Sequence, residues 1–115
     1  MAALHSGDVV LLVYPYTSLD GSKRRPALVL LDCGNRDFLF ARLTSGPTRD
    51  TRDVVLTRSS EAGLTLPTTC RLTKLVTLSE DLVLREFGQI AAEDRELVAE
   101  SLSQLFSLDW PTPGL

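Results

Sequence analysis

Apolar and polar positions alternate in short blocks over the first three quarters of the chain, then switch to a longer period. Val9–Val13 is a continuous apolar run between Gly7-Asp8 and Pro15, which predicts a strand buried on both faces or closing a barrel. Residues 15–24 carry Pro and Asp-Gly signals and read as a loop. Ala27–Leu31 reads as the second strand, with Pro26 at its start rather than its centre. A turn at Asp32–Arg36 follows, where Gly34 and Asn35 supply positive φ.

Asp37–Ser45 alternates cleanly: Phe38, Phe40, Arg42 and Thr44 share one face, and Leu39, Ala41 and Leu43 share the other. Gly46-Pro47 breaks it. Asp53–Thr57, Thr69–Leu78 and a short Val83–Phe87, ended by Gly88, read as three further strands, with a loop at Ser59–Pro67. The period then lengthens: Leu97, Val98, Leu102, Leu105 and Phe106 form a helical stripe, Glu93, Asp94 and Glu96 fall in the first turn, and Trp110–Pro113 ends the element. The stripe reads as core packing. Short, closely spaced strands followed by one helix predict a mainly β fold, a small antiparallel barrel with a C-terminal helix.

At 115 residues the chain has the size of one domain, spanning 1–115, and folds without needing a metal or disulfide staple. No apolar run approaches a membrane span, and the N-terminus lacks the basic start of a signal peptide, so a cytoplasmic protein is expected. Cys33 and Cys70 stand far apart with no CxxC, which reads as two reduced thiols. His5 is the one histidine, which removes paired-histidine acid–base chemistry and His-rich metal sites within a chain. No cofactor and no metal is expected.

The net charge of −3 argues against a nucleic-acid partner until it is divided along the chain. Residues 1–79 hold ten basic and seven acidic side chains; residues 80–115 hold two and eight. The strand region is therefore mildly basic, and rich in arginine rather than lysine. Arginine offers a planar fork of donors suited to phosphate and stacks on bases. Glycine loops for phosphates and a Ser/His/Asp triad are both missing. The acid pairs Glu80-Asp81 and Glu93-Asp94 sit at a turn and a helix start, where capping and solvation explain them.

What remains is arginine plus hydroxyl. Arg25 precedes a proline and is held extended. Thr44-Ser45 closes its strand before Gly46-Pro47. If these two strand ends are neighbours, a guanidinium and a hydroxyl converge at one rim and can bind a phosphate.

Gly7-Asp8-Val9-Val10, Arg24-Arg25-Pro26-Ala27-Leu28-Val29-Leu30, Leu43-Thr44-Ser45 and the block Arg71–Ile90 followed by a helix resemble, in this order and spacing, the MazF/PemK (Kid) toxins. The likeness spans about residues 6–106. It implies an SH3-like barrel of the PemK/CcdB type, a homodimer, and a sequence-specific, metal-independent endoribonuclease (an mRNA interferase) acting on single-stranded RNA. It also implies a cognate acidic antitoxin, MazE-like, whose tail blocks the RNA groove. By the same resemblance Arg25 and Thr44 are active-site residues. Ser45 is expected to touch substrate, as are Lys23 and Arg24. Thr73 and Lys74 fall on the family's polar pair, where an acid or amide is usual. Two other readings are a CcdB-like gyrase poison, whose key residues lie at the C-terminus, and a catalytically inactive RNA-binding barrel.

Overall fold

A computed structural model describes residues 3–15 and 21–111. The strands are β1 (Asp8–Tyr14), β2 (Lys23–Gly34), β3 (Asp37–Thr44), β4 (Asp53–Val55), β5 (Thr69–Ser79) and β6 (Val83–Gln89); α1 spans Ala92–Leu105. All pairings are antiparallel, in the order β4-β5-β3-β2-β1-β6. The mainly β, antiparallel architecture with a final helix is the one the sequence predicts. Residues 16–20, part of the expected loop at 15–24, and 112–115, beyond the helix, lie outside the described residues.

Both faces of the sheet are buried, which explains the unbroken apolar run of β1. Val9, Leu28, Ala41, Leu43, Val54 and Cys70 form one core with Val98 of α1. Val10, Leu12, Ala27, Val29, Phe38 and Phe40 form the other. Side chains that alternate along a strand thus enter different cores.

Five expectations are corrected. Pro26 lies inside β2 rather than at its start: it pairs with Leu11 of β1, while pairing with β3 begins only at Ala27. Proline is tolerated there because β2 has a ladder partner on one side alone. The turn narrows to Asn35-Arg36, because β2 runs on to Gly34; Gly34 and Asn35 have the expected positive φ, and so does Arg36, whose guanidinium bonds Glu80 at 2.6 Å and also reaches Asp81.

Gly88 does not end β6 but sits within it. A Cβ there would meet the Ala62 carbonyl at 3.0 Å, and one on Gly63 would meet the Phe87 oxygen at 2.2 Å. The two glycines let the 3₁₀ turn Ser59–Ala62 lie directly on β6, which draws the two ends of the sheet together. In α1, Leu97 and Phe106 are exposed. The inward face is Asp94, Val98, Leu102 and Leu105, and Asp94 is fully buried. Its carboxylate accepts from the Thr57 amide (2.9 Å), the Thr57 hydroxyl (2.8 Å) and the Arg58 amide (3.1 Å). It is a tether for that loop, not a solvated helix-start acid.

Candidate active site

Beyond the Ala27–Arg42 pair no ladder bond joins β2 to β3, although both strands continue, β2 alongside β1 and β3 alongside β5. The sheet forks there. Continuing the register sets Arg25 across the fork from Thr44. A cavity of about 630 Å³ opens at this point, lined by Arg25, Pro26, Arg42, Thr44 and Ser45 from the fork. Gly63–Leu66 and Thr68 form a second wall, and Arg85 and Phe87 of β6 a third. The size suits a small ligand or one nucleotide unit of a larger one.

Thr44 is held in place by its surroundings. Its Oγ1 accepts the Gly46 amide at 3.1 Å. The next residue, Pro47, is anchored through its carbonyl by Nη2 of Arg71 at 2.9 Å. Arg71 is itself buried and paired with Asp53 at 2.6 Å. The turn after β3 is therefore pinned from beneath by an ion pair.

The cavity is electropositive. Three guanidiniums line it, no carboxylate does, and Arg25 and Arg42 make no ion pair among the described residues. Arg85 stacks on Phe87, with 4.9 Å from its guanidinium carbon to the ring centre. Unpaired positive charge in a recess with low-dielectric walls concentrates anions. His5 lines a separate recess with Asp8 and Glu86. Glu80 and Asp81 are engaged by Arg36 far along the sheet. Among the described residues no three His, Cys, Asp or Glu side chains cluster as metal ligands would.

Of the residues singled out in the sequence, the fold brings Arg25, Thr44 and Ser45 together. Lys23 and Arg24 are exposed at the start of β2, and Thr73 and Lys74 are exposed on β5, all outside the cavity lining. Arg42, Arg85 and Phe87 were not singled out. The alternation of β3, which sets Arg42 on the face of Thr44, was the available signal for Arg42. Nothing local marks Arg85, because the approach of β6 to the fork depends on the close contacts at Gly63 and Gly88.

Residues 5–106 match the PemK-like, MazF-like toxins of type II toxin-antitoxin systems. The chain belongs to this family. No curated protein matches it. Among solved structures it is similar to MazF (Form-I) from Deinococcus radiodurans, with a TM-score of 0.74 at 19% identity, covering 94% of this chain and 100% of that one. A similar likeness holds to an endoribonuclease in complex with its cognate antitoxin from Mycobacterial species (TM-score 0.72, 19% identity, covering 96% and 100%). The Mycobacterium tuberculosis toxin MazF-mt6 gives 0.70 at 21% identity, covering 90% and 99%. At such identities the likeness to these structures is one of fold. The family match rests on the sequence itself, and it includes both sides of the fork.

Proposed function

We propose that this toxin-family protein is a metal-independent endoribonuclease that cuts single-stranded RNA at the fork between β2 and β3. The observation that carries the reading is the meeting of Arg25 and Thr44 across that fork, in a recess where the described lining residues include three arginines and no acid. RNA brings its own nucleophile. The 2′-oxygen bonds to phosphorus while the P–O5′ bond breaks, leaving a 2′,3′-cyclic phosphate and a 5′-hydroxyl fragment. One proton leaves the 2′-hydroxyl and one is taken up by O5′. DNA lacks the nucleophile and is not cut.

Arg25 offsets the charge that builds on the phosphoryl oxygens. A guanidinium carries N–H donors and no acceptor, so it acts as a donor and a charge rather than as a base. With its acceptor side occupied by the Gly46 amide, Thr44 directs its O–H toward the phosphate. Ser45 contacts the substrate beside it. Lys23, Arg24, Thr73 and Lys74 are assigned to flanking nucleotides rather than to the scissile bond.

Family membership, and the mycobacterial endoribonuclease solved with its cognate antitoxin, support two partners: a second copy of this chain, forming a homodimer, and an acidic MazE-like antitoxin. An acidic peptide is complementary to the three arginines of the recess.

Purified protein is mixed with a panel of single-stranded RNAs and matching DNAs in EDTA, beside Arg25→Ala. The expected result is cleavage of RNA alone, cyclic phosphate ends, and a loss of about 10²–10³ in rate for the variant. Intact RNA across the panel, or an Arg25→Ala protein as fast as wild type, overturns the assignment. Stable RNA binding without products is the signature of the inactive-barrel reading.

A further inference from the structure

The recess holds more positive charge than one arginine and one threonine account for. Across the sheet, Asp53 of β4, Arg71 of β5, Arg42 of β3 and Ala27 of β2 stand in one row of facing residues. Two arginines thus face each other, an arrangement that costs stability in a sheet. Asp53 does not serve both. It takes Arg71 at 2.6 Å and the Arg49 amide at 2.7 Å, while Arg42 has no ion pair among the described residues. The Arg42 Nε is buried and lacks a hydrogen-bond partner. A buried guanidinium N–H without an acceptor is destabilising.

The surroundings give this side chain room and a direction. Its facing neighbour Ala27 is small and fully buried. Arg42 is the last residue of β3 paired with β2, so it stands at the base of the fork, with Thr44 two residues on along the same side. Arg25 is two residues from Ala27 on the opposing strand. In a paired ladder such diagonal neighbours stand about 7–8 Å apart; the fork widens this spacing, and the two side chains line the same recess.

We propose that Arg42 is a second catalytic guanidinium, which binds the scissile phosphate together with Arg25 and completes its own hydrogen bonding only when the phosphate is present. The proposal rests on the endoribonuclease reading for its substrate. Two guanidiniums from opposite arms of the fork grip different non-bridging oxygens, and the charge developing on both during attack is met from both sides.

A catalytic group that burdens the empty fold differs measurably from a structural one. Arg42→Met keeps the stem and removes the charge; Arg42→Lys keeps the charge and removes the fork. Cleavage rates and melting temperatures are measured for both. The expected result for Arg42→Met is a fall of about 100-fold or more in kcat, with a melting temperature equal to or above wild type. Arg42→Lys recovers part of the rate. Cleavage close to wild type in Arg42→Met, or a rate loss that follows a lowered melting temperature, overturns the proposal.

A separate readout keeps this apart from the activity itself. The Arg42 Nε–H resonance of the wild-type protein is followed by NMR during titration with an RNA carrying a single 2′-deoxy substitution at the target nucleotide. If wild-type protein cuts no RNA but the resonance moves on titration, the endoribonuclease reading falls and the phosphate contact of Arg42 stands. A resonance that stays still overturns the contact.

Discussion

A threonine hydroxyl donates one hydrogen bond and accepts others, so fixing what it accepts directs what it donates. The Gly46 amide does this to Thr44 at 3.1 Å. Thr44→Ser keeps the hydroxyl and is expected to retain most activity. Thr44→Val keeps the shape but loses the bond to the phosphate, worth about 1.5–3 kcal/mol, and also the acceptor for the Gly46 amide, so cleavage should fall about 10- to 100-fold and the melting temperature should drop modestly. Equal activity in the two variants, in a cleavage assay, removes Thr44 from the site. Cys70 behaves differently. Burial is the main reason its thiol is pushed up to about 12 from 9.0, with a smaller contribution from Asp53. Above pH 9 the unfolded chain loses a proton that the folded chain keeps. The stability from the neutral buried thiol is thus complete below pH 9 and is lost as pH rises toward 12, a change on the order of a few kcal/mol. Urea unfolding between pH 8 and 11 should show this slope in wild type and a flatter one in Cys70→Ala. An identical slope in both assigns the alkaline loss to other groups. The exposed Cys33 should meanwhile react with a thiol reagent in the native state while Cys70 waits for unfolding.

The strands themselves were legible because alternation is local and each block is bounded by turn residues. What β5 does within its span was not. Arg71 faces Arg42 and Leu75 faces Ala41, so residues 72–74 form a bulge between two paired stretches: Leu72 stays in the core, while Thr73 and Lys74 reach the surface outside the cavity lining. A Thr/Val/Leu-rich run looks the same with or without a bulge, since register is decided by the neighbouring strand. Arg71 shows the same limit. In sequence it is one more basic side chain for RNA, but the register turns it inward onto Asp53. The helical period puts Asp94 in the first turn of α1, where it is found, yet its inward aim depends on donors from residues 57 and 58, distant in sequence. By contrast, the fork was partly readable: proline after Arg25 and Gly-Pro after Ser45 mark places where strands stop pairing normally. Asp53→Asn should destabilise the protein by about 3–5 kcal/mol in urea unfolding, because it strands a buried guanidinium. Removing the exposed partner in the Arg58–Glu61 pair, where the side chains are 54% and 51% accessible, should leave the unfolding midpoint nearly unchanged, because solvent screens the pair. A small effect of Asp53→Asn contradicts the account of how the turn after β3 is pinned.

Divided along the chain, the charges looked like a basic strand region and an acidic end; folded, the two are interlaced. Arg36 pairs with Glu80 and Asp81, and Arg58 with Glu93, so part of the acidic end neutralises arginines of the strand region. The overall charge of −3 therefore has little bearing on RNA binding. The field that matters is the recess with Arg25, Arg42 and Arg85, where no acid lines the wall among the described residues. Binding of single-stranded RNA then releases few counterions. If Arg25 and Arg42 share the scissile phosphate and Arg85 meets a second, the recess contributes a slope of about −1.4 in log affinity against log salt, or about sevenfold between 50 and 200 mM, and each flanking contact of Lys23, Arg24 or Lys74 adds about −0.7. The measurement uses RNA blocked by a 2′-deoxy group at the cut site, so that binding is read without turnover. Arg85→Met should flatten the slope by about 0.7, and Arg36→Met, whose guanidinium is already spent on acids, should leave it unchanged. A slope several times steeper, or one that Arg36 and Arg85 share equally, would mean that RNA is held by a broad basic surface and not by a few placed guanidiniums at one fork.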